Sequence, residues 1–226
     1  LGSAAATLAG ETVLLQTVPI LASGSYSVLV QSLAGTGAYE VKLFLNSALE
    51  AEHFSGETNN DLTTAQDLNG SAVALQGTAG RLAVLGSAEG AGDSYSFNLA
   101  VGQVATLVLT GTDPGAGGGG LTLELQDAAG SLLTLGLADA ENVDQAIRAF
   151  VAPAGGTYYA RVSGEAGREY SLVITRGADF DLEPNSLAAQ AQEISLTGQA
   201  LGSVGLSGEA GGGGAIRVAV HTGASW

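Results

Sequence analysis

Cysteine is absent from the 226 residues, which excludes disulfides, thiolate zinc sites and thiol nucleophiles. Basic side chains are scarce: 7 Lys and Arg stand against 22 Asp and Glu, a formal charge of −15. A surface of that sign repels phosphate backbones and anionic headgroups, so nucleic acid and membrane-surface partners are not expected. It suits divalent cations, or plain solubility. No apolar run reaches the ~18 residues of a membrane span, so no membrane insertion is expected. No signal peptide is visible, and residue 1 is Leu rather than Met, which reads as a chain cut from something longer.

Catalytic constellations are thin as well. The two histidines, His53 and His221, lie far apart, and no G-x-S-x-G elbow occurs. Aromatics are 5% of the chain and Trp226 is the single Trp, too few for the aromatic-lined cleft around a glycosidase carboxylate pair. GAGGGG at 115–120 fits a G-x-G-x-x-G pattern but opens the strand-like LTLELQD. A dinucleotide loop has to open a helix. No enzyme is expected.

What remains is apolar content of 46%, enough for a core, and 35 glycines with no three-residue period. The dominant pattern is alternation over five to eight residues. Segments 25–32, 38–45, 93–100, 103–110, 121–127, 146–152, 157–163 and 169–175 all read as strands, separated by Gly, Asp, Asn or Pro. That spacing predicts an all-β fold, an antiparallel sandwich. Helical periodicity is confined to a turn or two at 62–68 and 187–194.

The chain also repeats itself. GSYSVLVQSLAGTGAYEVKLFLN (24–46) matches GTYYARVSGEAGREYSLVITRG (156–177), and GRLAVLGS (80–87) matches AIRVAVHTG (215–223). Residues 1–49 read as the C-terminal part of one repeat, 50–182 as a complete repeat, and 183–226 as the N-terminal part of the next. Tyr26, Tyr39, Tyr158, Tyr159 and Tyr170 sit at matching places and are expected as core or corner residues rather than a sugar platform. The end segments are expected to pack on the central sandwich, on each other, or head to tail on another copy.

The order of these motifs, with Glu57/Asn59/Asn60, DSYSF (93–97), LELQDAAG (123–130), GTYYARV (156–162) and YSLVI (170–174), resembles the bacterial pre-peptidase C-terminal domain. The resemblance covers the central repeat almost fully and the flanks in part. It implies a jelly-roll-like β-sandwich of secreted or cell-surface bacterial proteins, often appended to hydrolases. Some members, the collagen-binding modules of clostridial collagenases among them, bind calcium where the acidic/Asn phrase meets the Asp of the D-x-Y-x-F strand. Carried over, this nominates Glu57, Asn59, Asn60 and Asp93. The Asp that usually follows the Asn is replaced by Asn60, with Asp61 one place later.

Calcium takes six to eight oxygens, carboxylates mixed with amide or backbone carbonyls, and E-x-N-N-D supplies that mixture. The same letters also make an Asx-turn or a helical cap. The second candidate is DFDLEPN (179–185), whose Asp179, Asp181, Glu183 and Asn185 alternate onto one face of an extended chain. Such a face is held by a cation or solvated as an acidic linker. The expected protein is therefore a non-catalytic, calcium-stabilised spacer, assembly or adhesive repeat, with neighbouring repeats or other copies as partners. The alternative is a carbohydrate- or matrix-binding module appended to a secreted hydrolase, with extracellular polysaccharide or matrix as partner.

Overall fold

The computed structural model describes residues 1–32, 34–54, 56–113, 120–202 and the backbone of 216–217. GAGGGG (but for Gly120), GEAGGGG at 208–214, His221 and Trp226 lie outside the described residues. The strands are β1 (Ala48–Leu49), β2 (Gln66–Asp67), β3 (Val73–Ala74), β4 (Gly80–Ser87), β5 (Asp93–Leu99), β6 (Val104–Gly111), β7 (Thr122–Gln126) and β8 (Leu132–Leu135). They continue as β9 (Gln145–Val151), β10 (Gly156–Ser163), β11 (Glu169–Arg176), β12 (Asp179–Phe180), β13 (Gln192–Glu193), β14 (Ala200–Leu201) and β15 (Ile216–Arg217). Among the described residues there is no α-helix, only 3-10 turns at Glu52–Phe54, Asn69–Ser71 and Ala188–Gln190. No described helix is long and apolar enough to cross a membrane.

Two sheets make the body, and the fold is all-β and sandwich-like. One runs β1-β4-β11-β6-β9, with β3 also on β4; the other runs β2-β5-β10-β7-β8. Alternation in the sequence explains the pairing. Strand β10 turns Tyr158, Ala160 and Val162 inward, and β11 turns Tyr170, Leu172 and Ile174 inward. They meet Tyr95, Phe97, Leu107, Leu109, Leu123 and Leu125 in one continuous core. Each such Leu or Phe contributes roughly 1.5–3 kcal/mol by leaving water. Strand β6 is buried on both faces: Leu107 and Leu109 face the core, while Val108 faces a second cluster with Val143, Ala146 and Leu182.

The long strands pair antiparallel, but the sheets are mixed. Short parallel bridges join β1 to β4 and β2 to β5, because the segments entering the sandwich run alongside the strands that follow them. The segments expected as strands at 25–32 and 38–45 do not form strands, and most of their residues are exposed. Their counterparts β10 and β11 are each flanked on both sides, by β5 and β7 and by β4 and β6. Among the described residues before Ala48 no strand forms, so the backbone of 25–32 and 38–45 makes no ladder.

Two further corrections concern the repeat. β14 pairs with β12, Ala200 opposite Asp179, as β4 pairs with β1, Val84 opposite Ala48. Val84 and Leu85 therefore have their counterparts in Ala200 and Leu201 rather than in the segment expected at 215–223, of which only the backbone of 216–217 is described. Strand β15 pairs with β13, Ile216 opposite Gln192, as β5 pairs with β2, Tyr95 opposite Gln66.

The N-terminal segment nevertheless keeps local geometry of the repeat. Thr17 and Ala149, each 132 residues apart by number from its match, both have positive φ, 55° and 47°. In the central repeat this marks a bulge between β6 and β9. The Tyr26 and Tyr158 hydroxyls each donate to the carbonyl four residues back, of Ala22 and Ala154. Tyr158 is buried; Tyr26 and Tyr39 are exposed. Tyr170 is buried and Tyr159 partly so.

Candidate metal centre

The chain enters the sandwich through a joint, residues 48–68, and a second copy of that joint occupies 179–194. A glutamine clamps each one. Gln66 accepts from the Ala51 amide at 2.9 Å and donates to the Leu49 carbonyl at 2.8 Å. Gln192 accepts from the Leu182 amide at 2.9 Å and donates to the Phe180 carbonyl at 2.8 Å. The residue held between is Glu50 in the first joint and Asp181 in the second, and their amides donate to Leu85 and Leu201 at 2.9 Å each.

The acid-to-Asn contacts repeat too. The Asn59 side-chain amide donates to Glu50 at 3.4 Å and its backbone amide to Glu52 at 3.3 Å. The Asn185 side-chain amide donates to Asp181 at 2.5 Å and its backbone amide to Glu183 at 2.7 Å. In both joints the Asn faces its side-chain nitrogen to the acid. Its Oδ1 is thereby turned away, buried and without a partner, at Asn59 and at Asn185 alike.

The first joint adds a buried carboxylate pair. Glu50 and Asp93 are both fully buried. Glu50 accepts from the Ser87 amide at 2.7 Å and the Tyr95 hydroxyl at 3.1 Å. Asp93 Oδ2 faces the Tyr170 hydroxyl at 2.8 Å, and the two phenols touch at 2.5 Å. Asp93 Oδ1, Asn60 Oδ1 and the Ser94 hydroxyl have no partner. Gly86 makes room for this cluster: a Cβ there would sit 2.6 Å from the Tyr170 ring and 3.0 Å from Glu50 Oε2. Gly202 does the same in the second joint, 2.7 Å from Asp181.

Protons are short in this cluster. Three oxygen-oxygen contacts run Asp93–Tyr170–Tyr95–Glu50, and two phenols supply two protons. A third proton, on a carboxyl, completes the chain. Burial first, and the adjacent Glu50 carboxylate second, push the Asp93 carboxyl up to about 7. Burial also raises Glu50, against the donors Ser87, Tyr95 and Asn59. Burial raises both phenols well above the usual tyrosine range. The ion pairs found among the described residues lie elsewhere, at Lys42–Glu40, Arg148–Asp139 and Arg168–Asp113.

The nominated residues thus divide. Asn59 and Asp93 meet at the first joint, where the Ser94 amide donates to the Asn59 carbonyl at 2.7 Å, and Asn60 contributes a buried amide oxygen. Glu57 is exposed. Asp61 turns the chain: its Oδ1 accepts from the Thr63 and Thr64 amides at 2.8 and 3.1 Å. In the second joint Asp181, Glu183 and Asn185 come together, while Asp179 faces the hydroxyls of Thr106 at 3.3 Å and Thr197 at 2.5 Å. Glu50 and Glu52 were missed in the sequence. The signal was acid-x-acid ahead of Asn, E-A-E at 50–52 and D-L-E at 181–183; the first copy carries six residues before its Asn where the second carries one.

No three His, Cys, Asp or Glu side chains among the described residues group tightly enough to hold a metal alone. The donors are mixed: carboxylates of Glu50 and Asp93 with the unpartnered amide oxygens of Asn59 and Asn60. That chemistry fits a hard, oxygen-seeking cation such as calcium. His53 is exposed and lies edge-on to Phe54 at 5.0 Å. Two grooves beside β9 are lined by residues such as Leu135, Phe150, Asp139 and Arg148, with no His in either. The large aromatics of the sandwich, Tyr95, Phe97, Tyr158 and Tyr170, are inside it. No family model matches the chain, and no curated protein is similar to it.

Proposed function

We propose that the chain is a non-catalytic, pre-peptidase C-terminal-like repeat module of a secreted or cell-surface protein, whose joints are closed by calcium. It acts as a spacer and assembly element between neighbouring repeats. One observation carries this reading: two joints with matching hydrogen bonds both leave a buried Asn oxygen, of Asn59 and of Asn185, without a donor. A buried acceptor with no partner costs roughly 1–3 kcal/mol, and the same omission made twice at the same place points to a ligand. At the first joint Glu50, Asp93, Asn59 and Asn60 would hold the ion, and at the second Asp181, Glu183 and Asn185 would. The ion supplies positive charge to a cluster whose described neighbours supply none.

The test is melting with and without calcium after chelator treatment. A ligand that binds only the folded state stabilises it by about 2.7 kcal/mol at a hundredfold excess over Kd. For a chain of this size that is a rise of roughly 5–10 °C. The rise should shrink in Asp93→Asn and in Asn59→Leu. A melting curve that millimolar calcium leaves unmoved removes the ion from both joints.

A further inference from the structure

We propose that Asn142 is a positioning residue for the cation of the second joint, so that binding of the ion docks the segment leaving the central sandwich onto that sandwich. This rests on the reading of the joints as calcium sites. The residues nominated at the second joint are Asp181, Glu183 and Asn185, and Asn185 is 1% exposed with its Oδ1 unpartnered. The backbone that carries the two acids is held from outside the joint. Asn142, just ahead of β9, donates to the Asp181 carbonyl at 2.8 Å and accepts from the Glu183 amide at 3.0 Å. The neighbouring Glu141 amide donates to the Glu183 carbonyl at 2.9 Å. Gln192 takes the alternate groups, the Phe180 carbonyl and the Leu182 amide. Residues 180–183 therefore run between two side-chain amides as a strand runs between two neighbours, with every second residue bonded to the same side.

The brace decides where the two acids point. Side chains two apart on an extended segment share a face, so holding 181 and 183 sets both carboxylates on one side. There Asn185 bonds each of them, its side-chain amide to Asp181 and its backbone amide to Glu183. Two carboxylates so placed repel each other, and without a cation that repulsion works against the brace. With the ion bound the same geometry is favoured, and ion and brace strengthen each other by one factor. The first joint is supported differently. Its acid Glu50 is held by the sandwich that follows, through the Ser87 amide and the Tyr95 hydroxyl. Counting back by 149 − 17 = 132, the offset that relates Ala149 to Thr17, Asn142 falls on Gly10. Glycine has no side chain with which to brace an acid. The first joint thus answers to the sandwich the chain is entering, and the second to the sandwich it is leaving.

Amide hydrogen exchange followed by NMR reads each joint separately, on the full 226-residue chain titrated with calcium after chelator treatment. The Leu182 amide, bonded to Gln192, reports the second joint, and the Ala51 amide, bonded to Gln66, reports the first. The Glu141 amide, whose acceptor is the Glu183 carbonyl, reports the docking. In the wild type calcium should slow exchange at all three, with Leu182 and Glu141 sharing one midpoint. In Asn142→Ala that shared midpoint should move to roughly ten- to hundredfold higher calcium, the usual cost of losing a group that orients a metal ligand. The Ala51 midpoint should stay where it was. Asn142 is exposed, so circular dichroism should show the sandwich unchanged. A Leu182 midpoint that Asn142→Ala leaves in place, or a Glu141 amide that calcium does not slow, overturns the proposal and leaves calcium at the joints standing. If calcium slows none of the three amides in the wild type, the proposal falls together with the reading of the joints on which it rests.

Discussion

Asp93 is an ordinary aspartate made extraordinary by its neighbours, and its proton gives a directional prediction. Its carboxyl titrates near 7 in the folded chain because of burial and Glu50, and near 4 when unfolded. Between those values the folded state holds a proton that the unfolded state has released, so stability is highest on the acid side and falls as pH rises through the window. In chelator, the urea midpoint should drop between about pH 5 and about pH 8, and Asp93→Asn should flatten that drop. A wild-type midpoint that rises over this range contradicts the assignment. Asn59 and Asp93 were legible in the sequence because D-x-Y-x-F and E-x-N are local phrases. Glu50 was not, because it reaches the cluster only through a clamp made by Gln66. Neither a glutamine clamp nor the glycine beneath it has a pattern of its own in one dimension.

At the scale of elements, six of the eight expected strands form where alternation placed them, and the two that fail are informative. Alternation specifies which face is apolar, but a strand also needs neighbours for its backbone, and 25–32 and 38–45 pair with no described strand. The short bridges β1, β2, β12 and β14 were illegible for the opposite reason: two residues are too few to show a period. Thr106 links these scales. Its hydroxyl accepts from the Ala149 amide at the bulge, 3.1 Å, and donates to Asp179 of the second joint at 3.3 Å. Thr106→Val keeps the shape and strips both contacts from a buried site. It should cost about 1–3 kcal/mol, read as a lower urea midpoint at unchanged slope. A midpoint that stays put means that the bulge and joint are held by other contacts.

On the scale of the whole molecule, the second joint is fixed to the repeat before it. Leu182 packs with Val108, Val143 and Ala146. Asn142 donates to the Asp181 carbonyl at 2.8 Å and accepts from the Glu183 amide at 3.0 Å. Asn142→Ala should leave the melting of the sandwich nearly unchanged while a protease cuts faster within 183–202; equal cutting in both proteins would assign the fixing to Leu182 alone. The direction of the chain at the joints has a mechanical consequence. Strand β1 runs parallel to β4, and β11 runs antiparallel to it, ending with Arg176 opposite Gly80 where β4 begins. The chain thus enters and leaves the first sheet at the same end. Tension applied along a string of such repeats would not slide the strands past one another, loading all their hydrogen bonds together. It would open each sheet from one end, bond after bond, so that a pulled array lengthens at low force and gives way one repeat at a time.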